Sequence, residues 1–319
     1  MKTLSFAATL LAMLVSAPVH ADDYPSRPIR MLLPFSAGGG GDTLGRILAE
    51  RFSAELKQPV IVENKPGAGG TIGIASVARS APDGYTITIG GMTTHILSPS
   101  VYKDLPYDPI KSFASLGAIG NSAIMVIANN DFPADDIDGV RKLATSRKDP
   151  VQYGSWGIGS TGHFCGEVLV QKGDVKLQHV PYKGTTQIIT DVIGGHVDLG
   201  FVDMATATPM IAQHKVKALA ACTKRSPSVP DIRSYKEQGI DFDRDLNWAM
   251  YVPAGTPAAI VDRLSGTLEK VLKEPDVVEK LLGLGITAQY VPGPAHQKAS
   301  IADIDAWKAI ARDAGIKPQ

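Results

Sequence analysis

Short apolar runs alternate with amphipathic segments along most of this chain, and that alternation limits its fold more than any other feature. In the first unit, an apolar run at 29–33 leads into the loop 34–42 (PFSAGGGGD), and apolar residues at helical spacing follow at 43–56. Strand–helix alternation favours an α/β fold with largely parallel sheets and right-handed crossovers. Asp42 stands where a side-chain cap would begin the first helix.

The same two patterns recur through the rest of the chain. Apolar runs predict further strands at 60–63, 86–90, 123–128, 151–154, 177–180, 197–202, 218–222 and 249–252. Amphipathic spacing predicts further helices at 70–80, 137–144, 162–171, 185–193, 258–272, 275–284 and 294–314.

The chain is longer than most single domains, so we expect two. The stretches 117–122 and 241–248 each precede a new strand and look like crossings between the domains. We therefore predict that 22–124 plus 250–319 form domain 1 and that 125–249 form domain 2. Two α/β domains joined by two crossings can open and close on a ligand between them.

Residues 1–21 have the pattern of a cleaved export signal. Lys2 supplies the charged start, 4–15 is a short apolar run, and 19–21 (VHA) is a small-residue cleavage site. A membrane anchor would need about 20 consecutive apolar residues, and this run is shorter. We predict a periplasmic protein after cleavage near Ala21.

Charge and cysteine content exclude several classes of function. Loss of Lys2 from the 32 basic side chains leaves 31 against 32 acidic ones, which argues against binding to nucleic acid or to a membrane surface. The histidines are scattered and Cys165 lies far from Cys222 in sequence, so no metal site is predicted. We expect two buried thiols rather than a disulfide, although an exported chain permits the bond. We expect a monomer.

Glycine-rich loops that lead from a strand into a helix are the candidate binding features. Glycine lets the backbone approach a ligand closely, and the first N–H groups of a helix are unpaired and carry the positive end of its dipole. Together they make a site for a small anion. The loop 34–42 is the first example, and the loops 90–95, 154–163 and 181–186 repeat the arrangement with added hydroxyl groups.

Several residues in these loops have two possible roles. Ser160 or Thr161 is a natural cap of the helix after the loop 154–163, which is called the second glycine loop below. His163 could act as a base, although a structural or ligand hydrogen bond is the more usual role in a first helical turn. Lys183 could pair with an anion or remain solvated. Asp203 ends a predicted strand and could either contact an amine or hydroxyl of a ligand or cap the next turn.

Sharper motifs fail in the loop 154–163. It has the glycine spacing of a dinucleotide fingerprint, but no acidic residue ends the following strand. Ile158 stands where a nucleophile elbow needs glycine, and the lysine of a P-loop is missing. No cofactor is therefore expected. An exported serine hydrolase that uses Ser160 and His163 remains the catalytic alternative.

Taken in order, these segments resemble the extracytoplasmic solute receptors of the tripartite tricarboxylate transporters, often called Bug receptors. The matching segments run through essentially the whole mature chain: 34–42 (PFSAGGGGD), 60–70 (VIVENKPGAGG), 81–85 (APDGY), 159–163 (GSTGH), 180–184 (VPYKG), 194–199 (GGHVDL) and 252–257 (VPAGTP). The resemblance implies an α/β, two-domain periplasmic binding protein of the Venus-flytrap type. Its ligand cleft would lie between the domains, and it would have no catalytic activity.

The resemblance also implies which residues bind. In such receptors, two glycine loops hold one ligand carboxylate, partly through ordered water. Carried over, the contacts are Ser36, Gly38, Gly39 and Asp42 from domain 1 and Ser155, Ser160, Thr161 and His163 from domain 2. The loops themselves add Thr93, Trp156, Gly184, Thr185 and Asp203 as candidate ligand contacts.

Some positions depart from the family pattern. Gly40 and Gly41 stand where the family often has proline and serine, and Phe164 stands where leucine is usual. Trp156 places a large ring where small residues are common and would narrow the pocket. We expect Trp248 to lie near the hinge, and its fluorescence to change less than that of Trp156 when the domains close.

The expected function is therefore capture of a small organic carboxylate and its delivery to the membrane permease subunits of a tripartite tricarboxylate transporter. The alternatives are the serine hydrolase and a receptor that only senses a carboxylate. A sensor would bind its ligand in the same way but pass the loaded form to a signalling protein.

Overall fold

Two separate β-sheets, each with helices packed against it, make up this structure. The computed structural model describes residues 24–242, 244, 246–313 and 316. The predicted export signal and its cleavage near Ala21 lie outside the described residues. Within the described part, no helix is both long and apolar enough to cross a membrane.

The first sheet contains six strands: β1 (Ile29–Leu33), β2 (Val60–Asn64), β3 (Thr86–Gly91), β4 (Phe113–Ser122), β10 (Leu246–Pro253) and β11 (Ile286–Pro292). Their spatial order is β11-β4-β10-β3-β1-β2. β1 pairs in parallel with β2 and β3. β10 runs antiparallel to β3 and β4, and β11 runs antiparallel to β4.

The second sheet contains five strands: β5 (Ile124–Ala128), β6 (Val151–Ser155), β7 (Leu177–Pro181), β8 (Leu199–Asp203) and β9 (Lys217–Ala221). Their spatial order is β7-β6-β8-β5-β9. β6 is parallel to β7 and β8, whereas β5 is antiparallel to β8 and β9.

The expectation of largely parallel sheets is wrong. Among the strand pairs of the described residues, four are parallel and five are antiparallel. Parallel neighbours need a crossover of a dozen or more residues, and helical crossovers of this kind follow β1, β2, β6 and β7. β4 instead continues through the single residue Ala123 into β5 of the other sheet. Each antiparallel pair contains β4 or β5, which this direct connection joins, or β10, which lies late in the chain.

Ten α-helices are assigned within the described residues: α1 (Gly40–Leu56), α2 (Thr71–Ala78), α3 (Ser98–Val101), α4 (Ile137–Ser146), α5 (Thr161–Lys172), α6 (Thr185–Ile193), α7 (Met204–Ala212), α8 (Ala258–Val271), α9 (Pro275–Gly283) and α10 (Gly293–Asp313). A π-helical turn spans Met92–Leu97, and short 3₁₀ turns span Ala68–Gly70 and Lys236–Gln238.

Four of these strands and α-helices were not predicted: β4, β11, α7 and the short α3. β4 contains Gly117 and Gly120, whose φ values of 140° and 153° favour glycine. A Cβ at Gly120 would lie 2.2 Å from the carbonyl oxygen of Thr287, so the close approach of β11 requires glycine there. These glycines hide the strand pattern of β4. β11 is only partly buried, and α7 carries Pro209 in its interior, which weakens its helical signal.

The first helix begins three residues earlier than predicted, so Asp42 is not its cap. Gly39 is the N-cap residue, and α1 starts at Gly40. The Asp42 carboxylate instead reaches back from the first turn and accepts the N–H of Gly38 at 2.9 Å. An acidic residue at the third helical position often satisfies an unpaired N–H in this way.

The prediction of two free thiols is also wrong, because Cys165 and Cys222 form a disulfide. Cys165 lies on α5, and Cys222 directly follows β9. Their Cα atoms are 5.9 Å apart, and both side chains are fully buried. Sequence spacing gave no access to that distance, which depends on how α5 packs against the second sheet.

The sheets divide the chain much as the predicted domains do, although the domain assignment stays a prediction. The boundary at 124/125 lies beside Ala123, where the chain passes from β4 to β5. The boundary at 249/250 falls inside β10, which pairs with the first sheet from Leu246 onwards. The C-terminal helix spans both regions, because Trp307 packs edge-on against Phe164 and Phe242.

Candidate functional site

A cavity lies between the two sheets, where several strand-to-helix loops meet. The space between its walls, with the solvent at its open mouth included, is ≈ 620 Å³. The first sheet and its loops contribute Pro34, Phe35, Ser36, Gly39, Gly40, Gly41, Gly69, Gly70, Gly90, Gly91, Met92, Thr93, Thr94, Leu246, Asn247 and Trp248. The second sheet and its loops contribute Trp156, Lys183, Gly184, Thr185 and Asp203.

The predicted site residues divide into two sets. Seven of them line this cavity: Ser36, Gly39, Thr93, Trp156, Gly184, Thr185 and Asp203. The other six lie behind the cavity wall or support its loops: Gly38, Asp42, Ser155, Ser160, Thr161 and His163. Ligand contact by either set stays a prediction.

The first glycine loop places the start of α1 against the opposite half of the molecule. The N–H of Gly40 donates a hydrogen bond to Oγ1 of Thr206, at 2.8 Å. A Cβ at Gly40 would lie 1.9 Å from Oδ1 of Asp203 and 2.6 Å from Cβ of Ala205. Glycine is therefore required at this close approach between α1 and α7.

Asp42 supports the first loop from behind. Its buried carboxylate accepts hydrogen bonds from Gly38 N, Arg46 Nε and Asn64 Nδ2, at 2.9, 3.0 and 2.8 Å. Burial raises the pKa of Asp42, but the hydrogen bonds from Arg46, Gly38 and Asn64 outweigh burial and hold that pKa below its ordinary value. The carboxylate is thus charged and fully engaged with its own loop.

The second glycine loop is held by a buried network of hydroxyl groups and imidazoles. Ser160 caps α5, as predicted, because its Oγ accepts the N–H of His163 at 3.2 Å. Oγ of Ser160 also lies 3.3 Å from Oγ of Ser155, which in turn lies 2.7 Å from Nε2 of His179. These groups fix the shape of the loop behind Trp156.

The imidazole of His163 is occupied by its own loop. Its Nδ1 accepts the N–H of Gly159 at 3.1 Å, and its ring lies 4.3 Å from that of His179. Burial lowers the pKa of His163 to about 4, so the ring is neutral near pH 7. Within the described residues, no hydrogen bond joins this imidazole to the Ser160 hydroxyl.

Hydrogen bonds between the two halves close the cavity. Oγ1 of Thr93 lies 2.8 Å from Oγ1 of Thr161 and accepts the N–H of Thr161 at 3.3 Å. Oγ of Ser36 donates to the carbonyl oxygen of Lys183 at 3.4 Å. These bonds join the loop 90–95 to the loop 154–163 and the loop 34–42 to the loop 181–186, and the Gly40 contact joins the loop 34–42 to α7.

Asp203 has the capping role that the sequence left open. It is the N-cap residue of α7, and its Oδ1 accepts the N–H of Thr206 at 3.0 Å. The hydroxyl of Thr206 also donates to this carboxylate, at 2.9 Å. Burial raises the pKa of Asp203, and the hydrogen bonds from Thr206 and Thr185 oppose that rise. Since Asp203 also lines the cavity, its predicted contact with a ligand stays open.

Sequence reasoning missed one wall of the cavity. Met92, which begins the π-helical turn after β3, lines it together with Leu246, Asn247 and Trp248 of β10. Trp248, which the sequence places only near the hinge, is thus part of the cavity wall. The sequence pattern of 241–248 indicates only a crossing between domains. Trp248, the aromatic residue at its end, is the one signal that could have indicated a place in the cavity wall. No group of three metal-ligating side chains is found among the described residues.

Comparison with known proteins places these features in context. The chain matches a family model described as "Tripartite tricarboxylate transporter family receptor" over residues 44–316. It is similar to the structure of the periplasmic binding protein BugD, with 36% sequence identity and a TM-score of 0.89, over 93% of this chain and 100% of that one.

Two further solved structures carry carboxylates in their descriptions. An R. palustris protein with adipate is 28% identical, with a TM-score of 0.90, over 93% of this chain and 100% of that one. MatC from Rhodopseudomonas palustris with bound malate is 28% identical, with a TM-score of 0.85, over 90% and 99%. These likenesses confirm the predicted α/β fold of a two-part periplasmic binding protein.

Proposed function

We propose that this chain, which belongs to the tripartite tricarboxylate transporter receptor family and its Bug receptors, captures a small organic carboxylate in the periplasm. It would then deliver that carboxylate to the membrane permease subunits of a tripartite tricarboxylate transporter. The observation that carries the proposal is the cavity itself, which is closed by glycine-rich helix entries from both sheets.

The electrostatics of the cavity favour one carboxylate. α1 begins at the lining residue Gly40, and α6 begins at the lining residue Thr185. Each helix start carries about half a positive charge. Lys183 is the one basic residue of the described lining, and it is exposed. Backbone N–H groups and hydroxyl groups would therefore hold the anion, and exclusion of water on closure would strengthen them.

The hydrogen bonds of Ser160 and His163 in the second glycine loop favour ligand binding without catalysis. A serine nucleophile needs a base within hydrogen-bond reach, whereas the Ser160 hydroxyl is engaged as a helix cap and by Ser155. The His163 imidazole accepts a backbone N–H instead. We propose that these groups shape the loop and that the protein is not an enzyme.

Closure is proposed to accompany binding. Domain 1 (22–124 plus 250–319) and domain 2 (125–249) would approach each other around the ligand, which contacts loops from both. A ligand that contacts both halves favours the closed form through that differential contact. Such a change gives a permease a way to distinguish the loaded receptor from the empty one.

A thermal-shift screen of mono- and dicarboxylates, with adipate and malate included, tests the proposal. A ligand at 100 times its dissociation constant adds about 2.7 kcal/mol of stability. We expect an increase in Tm of about 2–4 °C per kcal/mol for a chain of this size. Chromatography of the incubated ligand should show that it is unchanged.

Two results would contradict the proposal. The first is that no carboxylate in the panel raises the Tm. The second is consumption of the bound ligand or hydrolysis of an ester such as p-nitrophenyl acetate, with that activity lost in Ser160→Ala. The second result would support the hydrolase instead.

A further inference from the structure

Two neighbouring side chains on β10 carry buried polar atoms without hydrogen-bond partners. Nε1 of Trp248 and Oδ1 of Asn247 are both buried and unpaired. Trp248 is 5% exposed, and both residues line the cavity. Buried polar groups in native proteins are nearly always hydrogen-bonded, so each such exception needs an explanation. Two exceptions side by side on a cavity wall point to a partner that enters the cavity.

The strand pairing of β10 is irregular beside this wall. Side chains along a regular strand alternate between the two faces of a sheet, yet Leu246, Asn247 and Trp248 all line the cavity. The pairing of β10 with β4 shifts register between Trp248 and Ala249. Irregularities of this kind re-aim side chains and are common next to functional sites.

The surroundings of the pair are apolar and hold no cation. The ring of Trp248 packs edge-on against Phe35, with their centroids 5.3 Å apart. Met92 and Leu246 add apolar surface to the same wall. Lys183, the one basic residue of the described lining, is exposed and belongs to the other half of the molecule. A second carboxylate at this wall would thus lose its hydration without gaining a buried cation, which disfavours it.

We infer that Asn247 and Trp248 form a specificity subsite for an uncharged end group that both accepts and donates a hydrogen bond. A carboxamide or a hydroxyl at the end of a monocarboxylate has this property. Its oxygen would accept the indole N–H of Trp248, and its own N–H or O–H would donate to Oδ1 of Asn247. This inference rests on the proposed function, because the glycine loops would hold the carboxylate at the other end.

Calorimetry with matched ligands tests the inference. The probes are succinamate and glutaramate, with a carboxamide end, butyrate and valerate, with a methyl end, and succinate and glutarate, with a second carboxylate. We expect the better carboxamide to bind at least about tenfold more tightly than the methyl and dicarboxylate analogues of its length, since sites built to hydrogen-bond a polar group reject analogues that lack it.

Two substitutions separate the subsite from the rest of the cavity. Trp248→Phe keeps the ring but deletes the donor, and Asn247→Leu deletes the acceptor. Each should weaken carboxamide binding by about tenfold more than butyrate or valerate binding, the difference expected for one hydrogen bond. Asn121→Leu is the matched control, because Asn121 pairs with Asn247 on β4 but does not line the cavity. It should not change the preference.

The possible outcomes distinguish this inference from the proposed function. If the aliphatic acids and the carboxamides bind equally, or if dicarboxylates bind best, the inference is wrong and the receptor function stands. If the variants lower the affinity for every probe alike, the two residues do not select the end group, and the inference is again wrong. If none of the acids binds the wild-type protein, neither statement holds. The comparison of ligands on the wild-type protein tests the inference even if a variant fails to fold.

Discussion

The buried carboxylate of Asp203 lies where two helices begin, one from each half of the molecule. It caps α7 directly, through the N–H of Thr206. The Thr206 hydroxyl donates to this carboxylate and accepts the N–H of Gly40, the first residue of α1. The positive ends of two helix dipoles therefore face one buried carboxyl group. At this position the two halves meet closely, and a side chain on Gly40 would have no room.

Gly40→Ala tests the importance of that close approach. The new methyl group would displace Asp203 or Ala205 and break the hydrogen bond to Thr206. We expect affinity for the best carboxylate of the screen to fall by at least about tenfold, as measured by calorimetry. Gly266→Ala is the matched control, because a Cβ there meets no atom within 4 Å. It should leave affinity unchanged and raise stability by roughly 0.5–1 kcal/mol. Equal affinity in Gly40→Ala and the wild type would show that this approach does not shape the site.

At the scale of elements, the disulfide fixes α5, which carries the second glycine loop at its start. It joins Cys165 of α5 to Cys222 after β9 and closes a sequence separation of 57 residues. The Ser160 cap and the Thr161 contact to Thr93 sit at the same end of α5. The bond therefore holds one wall of the cavity to the far edge of the second sheet.

Replacement of both cysteines, Cys165→Ala with Cys222→Ala, should lower the free energy of unfolding. For a loop of this length, the chain-entropy model predicts a loss of about 4 kcal/mol. Guanidinium denaturation of the oxidised wild type, the reduced wild type and the double variant measures it. The reduced wild type should match the variant, and reductant should not affect the variant. Indistinguishable midpoints for all three samples would rule out a stabilising bond.

The elements that the sequence predicted well are those in which local pattern and tertiary packing agree. β1 is a mostly buried apolar strand interrupted only by the half-buried Arg30, and its bounds match the prediction. α6 likewise begins and ends at the predicted residues, because Gly184 and Gly194 flank an amphipathic stripe. β4 was missed because its glycines serve the close packing of β11 rather than a turn.

The candidate site follows the same division. Backbone features such as the glycine loops and the Ser160 cap can be predicted from local sequence. The Cys165–Cys222 bond depends on a distance between distant elements. The proposed subsite of Asn247 and Trp248 lies beside an irregular strand pairing that has no local signal. Features set by tertiary contact were the ones that sequence reasoning missed or misassigned.

At the scale of the whole molecule, four histidines make stability depend on pH. Burial lowers the pKa of His163 and His296 to about 4. Burial, and then a neighbouring histidine, lowers that of His95 and His179 to about 3. The unfolded chain therefore binds protons first as the pH falls below about 6.5. Stability should be full above that pH and fall between pH 6.5 and 4.

Urea denaturation at pH 7.5, 6.5 and 5 measures this dependence. At pH 5 we expect a loss of roughly 2 kcal/mol for each of the four histidines. Carboxylates with a lowered pKa, such as Asp42, lose their stabilising contribution only at lower pH. His95→Gln should reduce the slope, whereas His196→Gln, at an exposed position, should not. Constant stability from pH 7.5 to 5 would contradict this account.

The C-terminal helix has a practical consequence for building a fluorescent sensor from this protein. Trp307 of α10 is 1% exposed and packs against Phe164 and Phe242, so separating these rings would expose the largest fully buried side chain of the described residues. Relative movement should be small there and larger at the rim where the loops 34–42 and 181–186 meet and where Ala37 and Lys183 are exposed. Donor and acceptor dyes belong at those two rim positions, and a reference dye belongs on α10.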